Sequence, residues 1–389
     1  MKKSLAILMA GALVAGLAGP AVAEDAVKVG FILPMTGQSA STGRQVEAGA
    51  RLYVAQHGDT VAGKKIELIF KDDGGVPDVT KRIAQELVVR DKVNVLAGFG
   101  LTPLAFAAAP IATQAKVPMI VTAAATSVIT EKSPYIARTS FTLPQVSVGM
   151  ADFAAKDGIK TVVTIVSDYG PGTDANAFFK KRFEAAGGKV VEELKVPLQN
   201  PDFSAFLQRA KDAAPDAVFV FVPSGQGAVF MKQFAERGLA EAGIKLIATG
   251  DLLDDDLLNK MGDVALGVVN THHYSAAHDS PENKAFVAAF KAANEGMRPN
   301  FMGLAAYDGM ALIYAALEKT GGDVSGDALI AAMKGMTWTS PRGPVKIDAE
   351  TRDIIQNVYV RKVERVDGEL YNVEFDTIEA VKDPAKAEK

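Results

Sequence analysis

Short apolar, β-branched runs alternate with longer stretches of helical periodicity along most of the chain. The first series of apolar runs comprises residues 27–33, 65–72, 93–98 and 117–122. The second comprises residues 161–168, 187–197, 216–223, 244–251 and 267–274. Helix-length stretches lie between the runs, for example 43–57, 77–91, 102–116, 174–187 and 226–238. This alternation is typical of βαβ units with parallel sheets, and two such series predict two similar α/β lobes.

The rest of the chain completes the predicted lobes. Helical stretches at 281–295 and 301–319 precede a last strand pair within 356–375. The junctions near Phe141 to Val146 and Tyr274 to Ser280 are short, which favours direct strand-like crossings between the lobes. We expect an N-terminal lobe of 24–144 plus 275–345, a C-terminal lobe of 145–274 plus 346–380, and a flexible tail at 381–389.

The first 23 residues have the pattern of a secretory signal peptide. Lys2 and Lys3 precede an apolar stretch from about Leu5 to Leu17, and small residues stand at Ala21 and Ala23. The alternative is a membrane anchor, but this apolar stretch is short for a bilayer. Cleavage after Ala23 would deliver the mature chain to the periplasm, and no later segment has the apolar length of a membrane span.

Composition narrows the classes of partner and chemistry. The 389 residues carry a net charge of −4, and loss of Lys2 and Lys3 makes the mature chain more acidic, which argues against a nucleic-acid partner. Cysteine is absent, which excludes disulfides, thiolate metal sites and cysteine nucleophiles. The length suits two domains of ordinary size.

Motifs of catalysis, metals and cofactors are missing from the sequence. It contains no G-x-S-x-G, Walker or H-E-x-x-H motif, and the G-F-G at 98–100 is interpreted as a turn. His272, His273 and His278 are close in sequence, but neighbours on a strand point to opposite faces and further ligands at suitable spacing are not evident. The acidic run at 254–256 is interpreted as a solvated helix start. We therefore expect no enzyme activity, metal or cofactor.

One set of residues shares a location at the carboxyl ends of the predicted parallel strands. Its members are Thr102, Ala124 to Thr126, Tyr169, Ser224 and Asp251. Helix N-termini at this edge attract an anion such as a carboxylate. The threonines could donate hydroxyl groups, Asp251 could accept from an ammonium, and Tyr169 could cover an apolar ligand. The alternatives are helix capping for the threonines and serine, and lobe packing for the tyrosine.

Several motifs together resemble the periplasmic binding proteins of ABC importers, specifically the leucine/isoleucine/valine-binding family. They include "VKVGFILPMTGQSASTGRQVEAGARLYV" at the mature N-terminus and "GKKIELIFKDDGGVPDVTKRIAQELV" after it. They continue through "AGFGLTPL", "VPMIVTAAATSVIT", "SPYIARTSFT", "SDYGPG" and "AAYDGM", so that the resemblance covers essentially the whole mature chain.

The resemblance implies two Rossmann-like lobes joined by three crossings, the type I periplasmic binding fold, with a small-molecule ligand held between the lobes. It implies that Thr102 and the loop 124–126 bind the ligand carboxylate, that Tyr169 covers the ligand, and that Asp251 receives an α-ammonium. The partner implied is an inner-membrane ABC permease, and we expect a monomer.

Two departures from the family pattern leave the ligand open. An aromatic residue is missing after the strand that ends at Pro223 and Ser224, and "NTHHYSAAHDSP" at 270–281 is unlike a leucine binder. The first expectation is a small hydrophobic amino acid, and the alternative is an aromatic or other hydrophobic carboxylate in a wider pocket. Further cleft candidates are Phe99, Leu101, Ala125, His273, Tyr274 and Tyr307. A different class of function is a ligand-sensing module of a receptor.

Overall fold

The computed structural model describes residues 26–387, so the predicted signal peptide lies outside the described residues. Buried apolar strands form the centre of a first sheet of six strands. Their bounds are β1 Val27–Leu33, β2 Thr60–Val61, β3 Lys64–Asp72, β4 Val95–Gly98, β5 Met119–Val121 and β6 Ile136–Arg138. The order is β2-β3-β1-β4-β5-β6, and every pairing is parallel except that of β2 with β3.

The second sheet combines a parallel part with an antiparallel extension. Its strands are β7 Thr161–Ser167, β8 Lys189–Val196, β9 Ala217–Phe221, β10 Lys245–Thr249, β11 Val269–His272, β12 Thr337–Ser340, β13 Gly343–Ile347, β14 Ile354–Val366 and β15 Glu369–Val381. Strands β8-β7-β9-β10-β11 are parallel, and β14 continues the sheet antiparallel to β11.

Helices cover both sheets. Their bounds are α1 Ala40–His57, α2 Pro77–Val89, α3 Thr102–Ala115, α4 Leu143–Lys156, α5 Gly170–Ala185, α6 Ser204–Asp212, α7 Gly227–Glu236, α8 Leu258–Met261, α9 Pro281–Ala293, α10 Phe301–Lys319, α11 Gly326–Met333 and α12 Pro384–Ala387. Helices α1, α9 and α10 pack together on the first lobe, whereas α4 packs on α5 and the second sheet.

The parallel parts of the two sheets have the same strand order. In β3-β1-β4-β5-β6 and in β8-β7-β9-β10-β11, the second parallel strand lies outside the first, and the third lies on its other side. The strand order therefore reverses between β1 and β4 and between β7 and β9, and ligands of open α/β sheets bind at such switch points. The predicted fold class, two Rossmann-like lobes with parallel-sheet cores, is confirmed.

The passages between the lobes differ from the strand-like crossings that we expected. Helix α4 begins at Leu143, because Gln145 Oε1 accepts from the N–H of Thr142 at 3.0 Å and Pro144 fits a first helical turn. A second passage lies between β11 and α9, and a third lies between α11 and β12, because β12 and β13 belong to the second sheet. The proposed domain boundary after residue 345 therefore falls inside β13.

The C-terminal segment packs against Ser127 of the first lobe and against Asp353, which precedes β14. The predicted strand pair is the hairpin of β14 and β15, whose turn residues Asp367 and Gly368 both have positive φ. Beyond it, the segment expected to be a flexible tail makes buried contacts over its described part. Asp383 accepts a hydrogen bond from Ser127, and Lys386 forms an ion pair with Asp353.

A buried ion pair stabilises the hinge, which consists of the three passages between the lobes. Asp308 on α10 lies 2.7 Å from the Arg342 guanidinium, and both side chains are essentially inaccessible to water. Asp308 also accepts from the Trp338 indole and the Ser340 hydroxyl at 2.9 and 2.8 Å. Arg342 in turn donates to the carbonyl of Thr139 in the first passage between the lobes. This ion pair therefore joins both lobes at the hinge.

Replacing Asp308 should lower the free energy of unfolding more than replacing an acidic residue on the surface. Asp308→Ala leaves the Arg342 guanidinium buried without its counter-ion, so the free energy of unfolding should fall by about 3–5 kcal/mol. Urea denaturation followed by circular dichroism measures this loss. The control is Glu236→Ala, which breaks an exposed pair with Lys232 and should change stability by at most about 0.5 kcal/mol. Equal losses in the two variants would contradict the structural role of Asp308.

Candidate ligand-binding site

A small cavity lies between the carboxyl edges of the two sheets. It contains residues that follow β1, β4 and β5 in the first lobe and β7, β9 and β10 in the second. Its lining consists of Ser39, Thr42, Gly100, Leu101, Thr102, Ala123, Ala124, Ala125, Tyr169, Pro171, Phe221, Pro223, Ser224, Asp251, Phe301 and Met302. The cavity thus occupies the switch points of both lobes, where a ligand is expected.

Most of the sequence-predicted site residues meet in this cavity. Leu101, Thr102, Ala124, Ala125, Tyr169, Ser224 and Asp251 line it. Thr126 does not line the cavity itself but contacts a residue that does, because its hydroxyl is 3.0 Å from that of Thr102. Their meeting follows from the parallel strands, whose carboxyl ends lie at one edge of each sheet.

Hydroxyl and backbone donors gather at the first-lobe end of the cavity. Thr102 is the first residue of α3, so its N–H has no acceptor within the helix. When the Thr102 hydroxyl donates to Thr126, the proton of the Thr126 hydroxyl remains for a third group. No lysine or arginine is found among the described residues that line the cavity. Neutral donors and a helix N-terminus therefore provide the anion-binding capacity of this end.

The buried side chain of Arg138 orients the loop 124–127. Its guanidinium donates to the carbonyls of Thr126 and Ser127 at 2.8 and 3.2 Å, and to that of Ala124 at 3.4 Å. Because C=O and N–H point in opposite directions across a planar peptide, this turns the N–H of Ala125 away from the arginine. Asp353, at 2.9 Å from Arg138 Nε, provides the counter-charge.

Aromatic rings from both lobes form apolar walls. Tyr169 and Phe221 of the second lobe stack with their ring centres 6.1 Å apart and an interplanar angle of 21°. Phe301, the first residue of α10, lines the cavity from the first lobe. Burial raises the pKa of Tyr169 well above its ordinary value, and the nearby Asp251 adds to this shift. Tyr169 therefore presents a neutral phenol to the cleft.

A carboxylate lies at the second-lobe end. Asp251 Oδ2 accepts from the Thr249 hydroxyl at 3.0 Å and lies 3.5 Å from His272 Nε2. Burial lowers the pKa of His272 to about 4, despite the opposing effect of Asp251. At neutral pH the imidazole is therefore uncharged, and the cation that acts on Asp251 is the buried Arg361 guanidinium, which packs against Gly250. Burial of Asp251 by a ligand is more favourable when the ligand brings a hydrogen-bond donor or a positive charge.

The acidic run at 254–256 was expected to be a solvated helix start, and this interpretation is wrong. Asp254 is buried and accepts from the Ser224 hydroxyl at 2.6 Å and from the Asn300 amide at 2.9 and 3.0 Å. Asp255 is also buried and accepts from Asn372 at 3.0 Å. The acids fold inward because these polar partners come from α10 and β15, which are distant in sequence.

Four of the further cleft candidates lie elsewhere. Phe99, with φ of 68°, is buried in the core on the far side of the first sheet. His273 and its neighbour His272 both pack on Phe141, because β11 ends at residue 272 and strand alternation stops there. Tyr274 is buried in the main core. Tyr307 lies on the outer face of α10 against Tyr53, in a separate groove.

Sequence reasoning missed several residues that line the cavity. Ser39 and Thr42 follow β1, so the same rule of strand ends would have found them. Phe301 and Met302 have no such signal, because they belong to the first turn of α10 rather than to a strand end. The Asn300 side chain caps this helix by accepting from the N–H groups of Met302 and Gly303. That cap fixes the helix start at the cleft.

The two lobes contact each other directly around the cavity. Ser41 of α1 donates to Asp256 at 2.6 Å, and Asn300 donates to Asp254. On the other side, the N–H of Ser127 donates to Asp174 of α5 at 2.9 Å. These hydrogen bonds cross the cleft, so the structure represents a closed arrangement.

Within residues 26–387, no group of three or more His, Asp or Glu side chains has an arrangement that could hold a metal ion. The helices of this same range include none with the length and apolar character needed to cross a membrane.

Comparison with known proteins gives consistent matches over nearly the whole chain. The family model described as periplasmic binding protein matches residues 26–369. The Leu/Ile/Val-binding protein homolog 6 of Brucella melitensis biotype 1 is 46% identical over 388 residues, covering 99% of each chain. The conclusion that the chain resembles the Leu/Ile/Val-binding family is confirmed.

Solved structures of ABC-transporter solute-binding proteins are also similar. One from Rhodopseudomonas palustris BisB5, in complex with 3,4-dihydroxybenzoic acid, is 67% identical with a TM-score of 0.92 and covers 93% of this chain and 100% of its own. One from Rhodopseudomonas palustris HaA2, in complex with p-hydroxybenzoic acid, is 47% identical with a TM-score of 0.91 and covers 94% and 100%. With its two lobes, interlobe cavity and these matches, the chain belongs to the periplasmic binding protein family and is a solute-binding protein of an ABC transporter.

Proposed function

We propose that this protein captures an aromatic carboxylate of the benzoate class and delivers it to an inner-membrane permease. The observation that carries the proposal is the cavity itself, which combines aromatic walls from both lobes with neutral donors at one end. The similar proteins from Rhodopseudomonas palustris were solved with hydroxylated benzoic acids, which have this planar and anionic character.

The charges of the cavity select one orientation of such a ligand. A carboxylate placed beside Asp251 would meet a second negative charge at low dielectric, which is unfavourable. At the opposite end, the α3 N-terminus, the Thr102 and Thr126 hydroxyls and the N–H of Ala125 favour an anion. The ligand carboxylate therefore faces the first lobe, the ring lies beside Tyr169 and Phe301, and the remaining substituents face Asp251.

A hydrophobic amino acid is the second candidate. Asp251 could accept from its α-ammonium, and the similar Brucella protein is named as a Leu/Ile/Val-binding homolog. Both candidates need a hydrogen-bond donor that faces Asp251. Only the aromatic acid also has a flat ring that matches the flat aromatic walls of the cavity. The aromatic carboxylate was the alternative in our sequence-based expectation, and the aromatic walls support it as the first candidate.

The proposed role needs capture and release only, without covalent chemistry, a metal or a cofactor. The ligand contacts both lobes only when they are closed, so binding shifts the population from open to closed forms. The proposal includes export by the signal peptide 1–23, action in the periplasm as a monomer, and recognition of the closed form by the permease.

A ligand panel tests the proposal. The mature chain, stripped of ligand by unfolding and refolding, should melt several degrees higher with benzoate derivatives at 100 times their dissociation constant, because bound ligand then adds about 2.7 kcal/mol. Leucine, isoleucine and valine should leave the melting temperature unchanged. A shift with these amino acids and none with aromatic acids would establish the second candidate instead.

Loss of the Thr102 hydroxyl should weaken every carboxylate ligand by a similar factor. Thr102→Val keeps the shape of the side chain but removes a donor close to the anion, so the dissociation constant should rise on the order of 10- to 100-fold. Isothermal titration calorimetry measures this change. Thr113→Val, at the far end of the same helix, is the control and should bind as the native protein does. Unchanged affinity in Thr102→Val would place the carboxylate elsewhere.

Affinity should increase as the pH falls from 7 to 5. Burial raises the pKa of Asp174 to about 6 in the closed form, and the charge of Asp383 adds to this shift. The Ser127 N–H and the charges of Arg138 and Lys386 oppose it. Opening of the lobes breaks the contact with Ser127 and admits water to Asp174, and the loss of burial lowers the pKa towards its ordinary value, so closure takes up a proton. The contribution is present at low pH and is lost as pH rises through about 6.

The size of this effect is up to about tenfold in the dissociation constant between pH 7 and pH 5. Asp174→Asn retains an acceptor for Ser127 but does not titrate, so its affinity should be flatter over the same range. Calorimetry with benzoate, which has no ring hydroxyl, compares the two proteins at pH 5, 6 and 7. The same slope in both would exclude Asp174 as the proton-linked group.

A further inference from the structure

The Ser224 hydroxyl donates its proton to another group of the protein. Its Oγ lies 2.6 Å from Asp254 Oδ2 and 3.4 Å from the carbonyl of Asp251, and both of these groups accept. While Asp254 is ionised, only the lone pairs of Ser224 remain for the cavity that it lines, whichever of the two groups receives the proton. Burial raises the pKa of Asp254 to about 7, so this arrangement holds above that pH. Towards a ligand, Ser224 is therefore an acceptor.

Asp254 is itself held in place from two directions. The Asn300 amide donates to both of its oxygens, and the N–H of Asp256 donates to Oδ1 at 2.9 Å. These contacts come from the first lobe and from the acidic run, so the carboxylate cannot rotate away from Ser224 without breaking them. Asp254 is thus a positioning residue for the Ser224 hydroxyl.

Asp251 presents a second acceptor next to the first. Thr249 donates to its Oδ2, and the described part of the chain provides no hydrogen-bond donor to Oδ1. The Asp251 side chain is one of the cavity walls, and its backbone carbonyl is within 3.4 Å of Ser224 Oγ. Two neighbouring acceptors, one charged and one neutral, therefore face the ligand at the end opposite to Thr102.

Two adjacent acceptors match two adjacent donors. We propose that Asp251 and Ser224 together recognise two vicinal hydroxyl groups on the ring of the ligand, and that Asp254 imposes this selectivity by fixing the Ser224 proton. This inference rests on the proposed function and names its substrate class as dihydroxylated benzoates. A site built to hydrogen-bond a hydroxyl discriminates strongly against an analogue without it, because its buried polar groups are then left unpaired.

The test compares four ligands on the mature chain by calorimetry at pH 8, where Asp254 is ionised: benzoate, 3-hydroxybenzoate, 4-hydroxybenzoate and 3,4-dihydroxybenzoate. The native protein should bind the dihydroxylated acid most tightly and benzoate most weakly. The hydroxyl that donates to the charged Asp251 should account for on the order of 10- to 100-fold, and the one that donates to Ser224 for roughly 2- to 10-fold.

Two variants separate the acceptors. Asp251→Asn should weaken 3,4-dihydroxybenzoate on the order of 10-fold or more and leave benzoate unchanged or tighter, because the negative charge near the anion is removed. Ser224→Ala should bring the affinity for 3,4-dihydroxybenzoate down to that for the better monohydroxylated acid. The control Asp263→Asn makes the same charge change at an exposed position and should retain the native ligand order.

The outcomes distinguish the inference from the proposed function. Equal loss of benzoate and 3,4-dihydroxybenzoate in Asp251→Asn, at unchanged melting temperature of the ligand-free variant, would overturn the inference and leave the proposed function intact. The same holds if the native protein binds benzoate as tightly as the dihydroxylated acid. Binding of leucine with no response to any aromatic acid would overturn both.

Discussion

The site depends on one geometric constraint, that all strands of a parallel sheet end at the same edge. Each lobe repeats the same strand order, and the carboxyl edges of the two sheets face each other across the cleft. Residues far apart in sequence, such as Thr102, Tyr169 and Asp251, therefore meet without any local signal that pairs them. Each contributes a short segment after a strand, and the helices that follow present their N-termini to the same space.

Charge then divides this space into two ends. The first-lobe end has hydroxyl and N–H donors without a cationic side chain among the described lining residues, whereas the second-lobe end has Asp251. A ligand that fills the cavity must therefore be an acceptor at one end and a donor at the other. Because the donors and the carboxylate are attached to different lobes, both ends are satisfied only after closure, which links recognition to the conformational change.

Three buried arginines stabilise the segments that surround the cavity and the hinge. Arg138 orients the loop 124–127, Arg342 ties the hinge to Asp308, and Arg361 donates to Asn270 next to the His272 segment. Each guanidinium satisfies backbone carbonyls or amides that would otherwise lie unpaired in the interior. Buried arginine is uncommon without such partners. Here the partners belong to hinge and loop segments, which the apolar core alone would not hold in a fixed position.

The sequence by itself determined the two-lobe α/β fold and the strand ends from which Thr102, Tyr169, Ser224 and Asp251 project. Both follow from local patterns, because apolar periodicity identifies strands and helices and because parallel strands share an edge. It also predicted the family from motifs spread over the chain.

Only the tertiary structure decided which residues face inward. It buried the acidic run at 254–256 against Asn300 and Asn372, turned Phe99 into the core, placed His273 against Phe141, and brought Phe301 to the cleft. These outcomes depend on partners from distant elements, on a positive φ at one residue, and on where a strand stops. The energy of burying a charge or a ring is set by such neighbours, and their identity is not contained in the local sequence.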